Sequence, residues 1–177
     1  VNENQEEVSW SDYSIPYMWG TMGFMYDPEM IANEEDVETW NVIWNKDYKG
    51  LSTLKDSVRD TYCAAVFYVY QDELNGYNQQ YLDGEITSTE YTAKITEVMN
   101  RKDDKTIELV EEALQVAKDN IYGFEVDSGK SDIVTGKIAI NFCWSGDAVY
   151  SMDCAEEESD KYLNYVVPKE GSNVWFD

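Results

Sequence analysis

The sequence predicts an α/β layer structure. Three observations carry this: short apolar or aromatic runs bounded by turn residues, amphipathic stretches at helical spacing, and the alternation of the two along the chain. The 177 residues suit one domain with a sizeable core. A hydrophobic content of 43% argues for a packed fold despite a net charge of −23. The chain shows no internal repeat and no low-complexity tract.

Residues 1–12 are polar and acidic and read as a lead-in. Tyr13 to Tyr26 is rich in aromatics, with Tyr17, Trp19, Thr21 and Phe24 suited to one or two strands and Gly20 and Gly23 suited to a close approach. Asp27-Pro28 marks a turn. The acids between Glu29 and Glu38 form a solvated stretch. Thr39 caps a short helix that puts Trp40, Ile43 and Trp44 on one face. Asp47 to Gly50 is a turn and Leu51 to Leu54 a brief strand.

A helix opens at Asp56 or Ser57, with Val58, Tyr62, Ala65, Val66 and Val69 on its apolar face and an interruption at Gly76 and Asn78. Thr87 to Met99 forms a second helix, capped by Ser88 or Thr89. Asp103 or Asp104 starts a third, striped by Ile107, Val110, Leu114 and Ala117. Ile121 to Val126 is a strand, Ser131 to Val134 a helical turn closed by Gly136, and Lys137 to Cys143 a buried strand. Ser145-Gly146-Asp147 begins a helix with Ala148, Val149 and Met152 facing in, followed by an acidic loop from Glu156 to Asp160. Tyr165 to Val167 and Val174 to Phe176 complete the strands, with Pro168 to Gly171 between them.

Composition excludes several chemistries. Without histidine there is no Ser-His-Asp triad, no Cys-His dyad and no histidine-ligated zinc. Cys63, Cys143 and Cys154 lack CxxC spacing, and their odd number leaves at least one outside any intrachain disulfide. With 36 acidic against 13 basic side chains, the chain repels phosphate backbones, so nucleic acid is not an expected partner. The same field concentrates cations at the surface. No apolar run approaches the ~20 residues of a membrane span. Val1-Asn2-Glu3-Asn4 carries no signal-peptide pattern and reads as a mature or trimmed end. No phosphate loop, dinucleotide fingerprint or calcium loop is present, and no metal or cofactor is expected.

In open α/β sheets ligands bind beyond the carboxyl ends of strands. Three such ends carry candidate chemistry. At Asp56-Ser57-Val58-Arg59-Asp60, the plain reading is a capping box, in which Ser57 caps the helix and Asp60 reaches back; Asp60 still keeps one carboxylate oxygen for a ligand. At Trp144-Ser145-Gly146-Asp147, an indole stands beside a carboxylate, an arrangement that attracts an ammonium by about 0.5–2 kcal/mol. Its ordinary alternative is a core tryptophan and a first-turn aspartate. At Trp175-Phe176-Asp177, strand alternation points Trp175 and Asp177 to one side. A carboxylate pair with tryptophans also fits a glycosidase or a module for a neutral sugar, and spacing alone does not separate these readings.

The ordered set Tyr13-Ser14-Ile15-Pro16-Tyr17-Met18-Trp19-Gly20-Thr21, Trp40 to Gly50, Asp56 to Asp60, Trp144 to Val149, Val167 to Gly171 and Trp175-Phe176-Asp177 resembles the spermidine/putrescine-binding proteins of bacterial polyamine ABC transporters. The resemblance runs from about Tyr13 to Asp177. It implies one lobe of a type II periplasmic-binding-protein fold, a central mixed sheet flanked by helices over residues 13–177, with an enlarged helical stretch around 75–105 and the first lobe absent from the chain. It implies a polyamine ligand bound at Asp60, Trp144, Asp147, Trp175 and Asp177, with ABC permease subunits as partners at the periplasmic or extracellular face of the membrane, and no enzymatic role. Ser57 stands where some spermidine-binding members carry an aspartate, which leaves the choice of polyamine open. Asp127 and Tyr62 are added from their nearness to predicted strand ends alone, while Trp19 and Thr21 are expected to support the hinge and core.

Overall fold

A computed structural model describes residues 9–176. The described residues form a mixed six-stranded sheet flanked by helices. The strands are β1 (Trp19–Tyr26), β2 (Ser52–Lys55), β3 (Gly123–Glu125), β4 (Ile140–Trp144), β5 (Asn164–Val166) and β6 (Val174–Phe176). The helices are α1 (Val58–Val69), α2 (Gln71–Leu82), α3 (Ser88–Met99), α4 (Asp104–Asn120), α5 (Ser128–Val134) and α6 (Ser145–Ser159). The sheet order is β3-β2-β4-β1-β5, with β6 also pairing with β1.

Strand direction positions the site. β2 is parallel to both β3 and β4, whereas β1 is antiparallel to β4, β5 and β6. The carboxyl ends of β2, β4 and β6 therefore reach the same edge of the sheet, together with the first residues of β1. The register places Met22 opposite Trp144 and Trp19 opposite Phe176.

The two-residue alternation of β1 and β4 feeds two cores, one on each face. Phe24 and Phe142 pack with α1 and α4, while Met25 and Cys143 pack with α5 and α6. Trp40 fills the first core. Its ring stacks on Phe67 at 5.3 Å and meets Phe24 and Phe142 edge-on at 5.2 and 5.4 Å, and its Nε1 donates to Gly171 O at 2.8 Å. Burying aromatic surface of this kind is the main force that closes the helices onto the sheet.

Several expectations are corrected. The Trp40–Trp44 segment is a 3-10 helix, capped by Thr39 as expected. Gly76 and Asn78 do not interrupt a helix, since α2 runs through both. The cap of α3 is Thr87, in a full capping box with Glu90. Val58, Ile107 and Val149 are exposed rather than core-facing. Ile107 and Val149 lie one position off the inward stripe, which runs through Thr106, Val110, Ala113 and Ala117 in α4 and Ala148 and Ala155 in α6, whereas Val58 shares the face of the buried Ala65 and is exposed as the first residue of α1. The acids from Glu156 to Glu158 belong to α6, which ends only at Asp160 in a left-handed conformation (φ 51°). The acidic 3-10 helix Glu34–Glu38 is not wholly solvated: Val37 is buried, and Glu34 and Asp36 accept from the hydroxyls of Tyr26 and Tyr48, each at 2.8 Å. Of the lead-in, Trp10–Asp12 forms a 3-10 turn, and residues 1–8 lie outside the described ones. All three cysteines are free.

Candidate functional site

The shared strand edge opens into a cavity of about 400 Å³ lined by Arg59, Asp60, Trp144, Asn173, Trp175 and Phe176. Each wall has a local origin. Ser57 takes an extended conformation and its hydroxyl accepts from the Asp60 amide at 3.4 Å, which starts α1 and sets Asp60 in the first turn. Asp60 is largely buried there. Trp144 is the last residue of β4 and, as the N-cap of α6, turns the chain from strand to helix. Trp175 lies in β6 directly across from Gly20 of β1, and its six-membered ring lies over the missing side chain of that glycine. Ser172 ties the approach to β6 onto β1 by donating to Met22 O at 2.7 Å.

Two polar atoms in this wall are buried without a hydrogen-bond partner among the described residues: Oδ1 of Asn173 and Nε1 of Trp175. Burying such groups unpaired is unfavourable, so they mark a place that a ligand, water or another surface completes. A second cavity of about 400 Å³ adjoins the first and shares Arg59, Asp60 and Asn173 with it; Tyr62 and Met99 lie on its far side.

The structure brings Asp60, Trp144 and Trp175 together. The other expected residues are placed differently. Asp147 does not line the cavity; its carboxylate lies 3.4 Å from Lys130 Nζ and 3.8 Å from Lys55 Nζ. Ser57 serves as a helix cap and lines neither cavity. Asp177 lies outside the described residues. Asp127 is exposed, pairs with Lys130 at 3.1 Å and belongs to a separate cavity between α5 and α6. Tyr62 faces the adjoining cavity, donates to Arg101 O at 2.9 Å, and has its phenol pKa raised by burial. Thr21 bonds the Tyr165 hydroxyl at 3.1 Å, as a supporting residue should, but Trp19 is exposed and supports no core.

The sequence reading passed over Lys55, Glu125, Asn173 and the role of Glu170. Lys55 and Glu125 are buried at the ends of β2 and β3, and Lys55 lies 4.7 Å over the Trp144 ring. Glu170 is fully buried and accepts from the Thr39 hydroxyl and, at 3.3 Å, from the Trp40 amide. The Pro168-Lys169-Glu170-Gly171 run thus secures the Trp40 helix, and only its continuation reaches the cavity. No short spacing announces these contacts; each joins segments distant in sequence.

Near the cavity the Cys63 thiol is pushed up to about 12 by burial and by the neighbouring Asp60 charge. Among the described residues no cluster of candidate metal ligands is found, and no helix is long and apolar enough to cross a membrane. Chemically, the cavity offers two indole faces, one carboxylate and one unpaired carbonyl oxygen, beside the Arg59 guanidinium and the unpaired Trp175 N–H. The indole faces, the carboxylate and the carbonyl oxygen are complements of an ammonium on an aliphatic chain.

The model of one family, described as bacterial extracellular solute-binding protein, matches residues 3–177. The chain belongs to that family. It is 24% identical over 167 residues to the spermidine/putrescine-binding periplasmic protein of Escherichia coli, a match covering 94% of this chain and 39% of the relative. A putrescine-binding periplasmic protein of Pseudomonas aeruginosa is 25% identical over 176 residues, covering 94% of this chain and 41% of the relative. Among solved structures, a spermidine/putrescine ABC transporter substrate-binding protein from Streptococcus pneumoniae superposes with a TM-score of 0.67 at 28% identity, covering 94% of this chain and 42% of that one. The chain thus spans about two fifths of the length of the relatives it matches. The fold expected, one α/β lobe built on a mixed sheet, is the fold of these neighbours.

Proposed function

We propose that this chain is the second lobe of a substrate-binding component of a bacterial ABC importer and that it binds a linear polyamine. The single observation that carries the reading is the joint lining of one cavity by Asp60, Trp144 and Trp175. A polyamine presents ammonium groups on a methylene chain. Burying a charge requires a compensating one, which Asp60 supplies. Indole walls pack the methylenes and attract the cation. Asn173 Oδ1, buried and unpaired, accepts an ammonium N–H. Asp177, two residues beyond Trp175, joins as a further contact.

The remaining contacts come from a first lobe of the same protein, which closes over the ligand and presents the closed form to permease subunits. The relatives named for spermidine or putrescine support this reading, as does their periplasmic description, which places the protein at the periplasmic or extracellular face of the membrane. The charge of −23 favours encounter with a cationic ligand. The role is binding, without turnover.

Calorimetric titration of the full-length protein with spermidine, putrescine and a neutral sugar tests the reading. Heat from an amine, diminished by added salt, is expected. Saturable binding of the sugar alone, or turnover of a glycoside, overturns it.

A further inference from the structure

Lys55 ends β2 with 2% of its side chain exposed. Its Nζ lies 4.7 Å from the Trp144 ring centroid, 3.4 Å from Glu125 Oε1 and 3.8 Å from Asp147 Oδ2, and it donates to Val126 O at 2.8 Å. Glu125 is held in turn, accepting from the Gly129 amide at 2.8 Å and from Asn141 Nδ2 at 3.0 Å. The other Asp147 oxygen faces Lys130 Nζ at 3.4 Å. The ends of β2, β3 and β4 and the first turn of α6 build this cluster together.

An indole face beside a carboxylate is an ammonium receptor. Here a lysine of the protein is already seated in it. Trp144 lines the cavity whereas Lys55 does not, so one indole serves both the cavity and the internal cation. Asp147 thus faces two lysines of the protein, although each has a nearer carboxylate, Glu125 for Lys55 at 3.4 Å and Asp127 for Lys130 at 3.1 Å, and Asp147 Oδ2 is buried without a hydrogen-bond partner among the described residues.

We propose that Lys55 is a specificity-determining residue: a built-in cation that fills the ammonium place of the Trp144–Asp147 pair and restricts the cavity to the less highly charged ligand, a linear diamine rather than a linear triamine. This rests on the amine-binding reading above. An additional ammonium brought to Trp144 finds the ring already engaged by the Lys55 cation and meets that like charge. In a partly buried site such a repulsion is worth about tenfold in affinity.

The test measures affinities of putrescine and spermidine for the full-length protein by calorimetry. Lys55→Met alone leaves Glu125 buried without its cation, so the variant used is Lys55→Met with Glu125→Gln, in which the amide oxygen still accepts from Asn141. Lys55→Gln is the second neutral variant: it also removes the cation beside Glu125 but keeps a polar donor on the side chain, and it decides the matter if the double variant does not fold. The spermidine-to-putrescine affinity ratio is expected to rise about tenfold in the neutral variants, to stay at the wild-type value in Lys55→Arg, and to fall back when Asp147→Asn is added to Lys55→Gln. A ratio within about twofold of wild type in the folded neutral variants overturns the proposal. A gain that survives removal of the Asp147 charge also overturns it. Wild-type protein that binds neither amine overturns the amine reading itself, a result distinct from binding with an unchanged ratio.

Discussion

Gly20 and Trp175 are direct partners in the β1–β6 register, and a Cβ added at Gly20 would lie 2.7 Å from Trp175 Cζ2. The indole wall of the cavity exists because the opposite strand has no side chain there. Two effects compete in Gly20→Ala. Reduced freedom of the unfolded chain stabilises by about 0.4–1 kcal/mol, whereas overpacking costs about 1–3 kcal/mol. The steric term is the larger, because Ser145 Oγ would stand 2.9 Å away on the same side. Both the melting temperature and amine affinity are expected to fall. A variant as stable and as tight-binding as wild type shows that Gly20 does not position Trp175.

Asp60→Asn separates the fold from the site. The Ser57 cap uses the Asp60 backbone amide, which asparagine retains. Stability is therefore expected to change little, while diamine affinity falls by about 2–5 kcal/mol, the range for truncating one partner of a buried charge pair. Titration and thermal unfolding of the same sample check both halves; an unaltered affinity removes Asp60 from the site.

The α2–α4 side of the domain predicts an acid response. Arg101, in the loop between α3 and α4, forks onto both Glu73 oxygens at 2.7 Å and lies 4.6 Å over the Tyr70 ring. Hydrogen bonds from Arg101, and then from Tyr77, hold Glu73 down at about 2 against an ordinary 4.5. A depressed carboxylate contributes stability that is present above its unfolded pKa and lost as pH falls through the folded one. Wild type is therefore expected to exceed Glu73→Gln in urea midpoint near neutral pH, with the gap closing between about 4.5 and about 2. A gap independent of pH overturns this role for Glu73.

Thiol chemistry distinguishes the cysteines. Cys63 and Cys143 are buried and both thiols are pushed up to about 12, chiefly by desolvation. Cys154 is only half-buried, at the cavity between α5 and α6. The thiolate is the reactive form, so in mild base the folded protein should show one fast thiol and the unfolded protein three. Cys154→Ser is expected to remove the fast phase; a fast phase that remains assigns it to Cys63 or Cys143.

Much of the fold was legible because its signals are local. Ser57, Thr39 and Asp103 cap their helices by reaching an amide two or three residues ahead, a contact that sequence spacing nearly dictates. The break expected at Gly76 was a different case. Glycine costs a helix interior about 1 kcal/mol, and packing of Leu74 in the core and Tyr77 against it outweighs that. Ile107 and Val149 were misassigned because the orientation of a helix about its axis depends on what it packs against, and Val58 because it is the first residue of α1, ahead of the buried part.

The site divides along the same line. Alternation along strands and capping at helix starts were enough to place Asp60, Trp144 and Trp175 at strand ends, because those signals act within a few residues. Where the nearest cations stand, and hence that Asp147 faces lysines of the protein, depended on β2, β3 and β4 lying side by side so that residues 55, 125, 144 and 147 meet. Coulomb attraction and burial act through space rather than along the chain, so this part of the site took shape only with the tertiary fold.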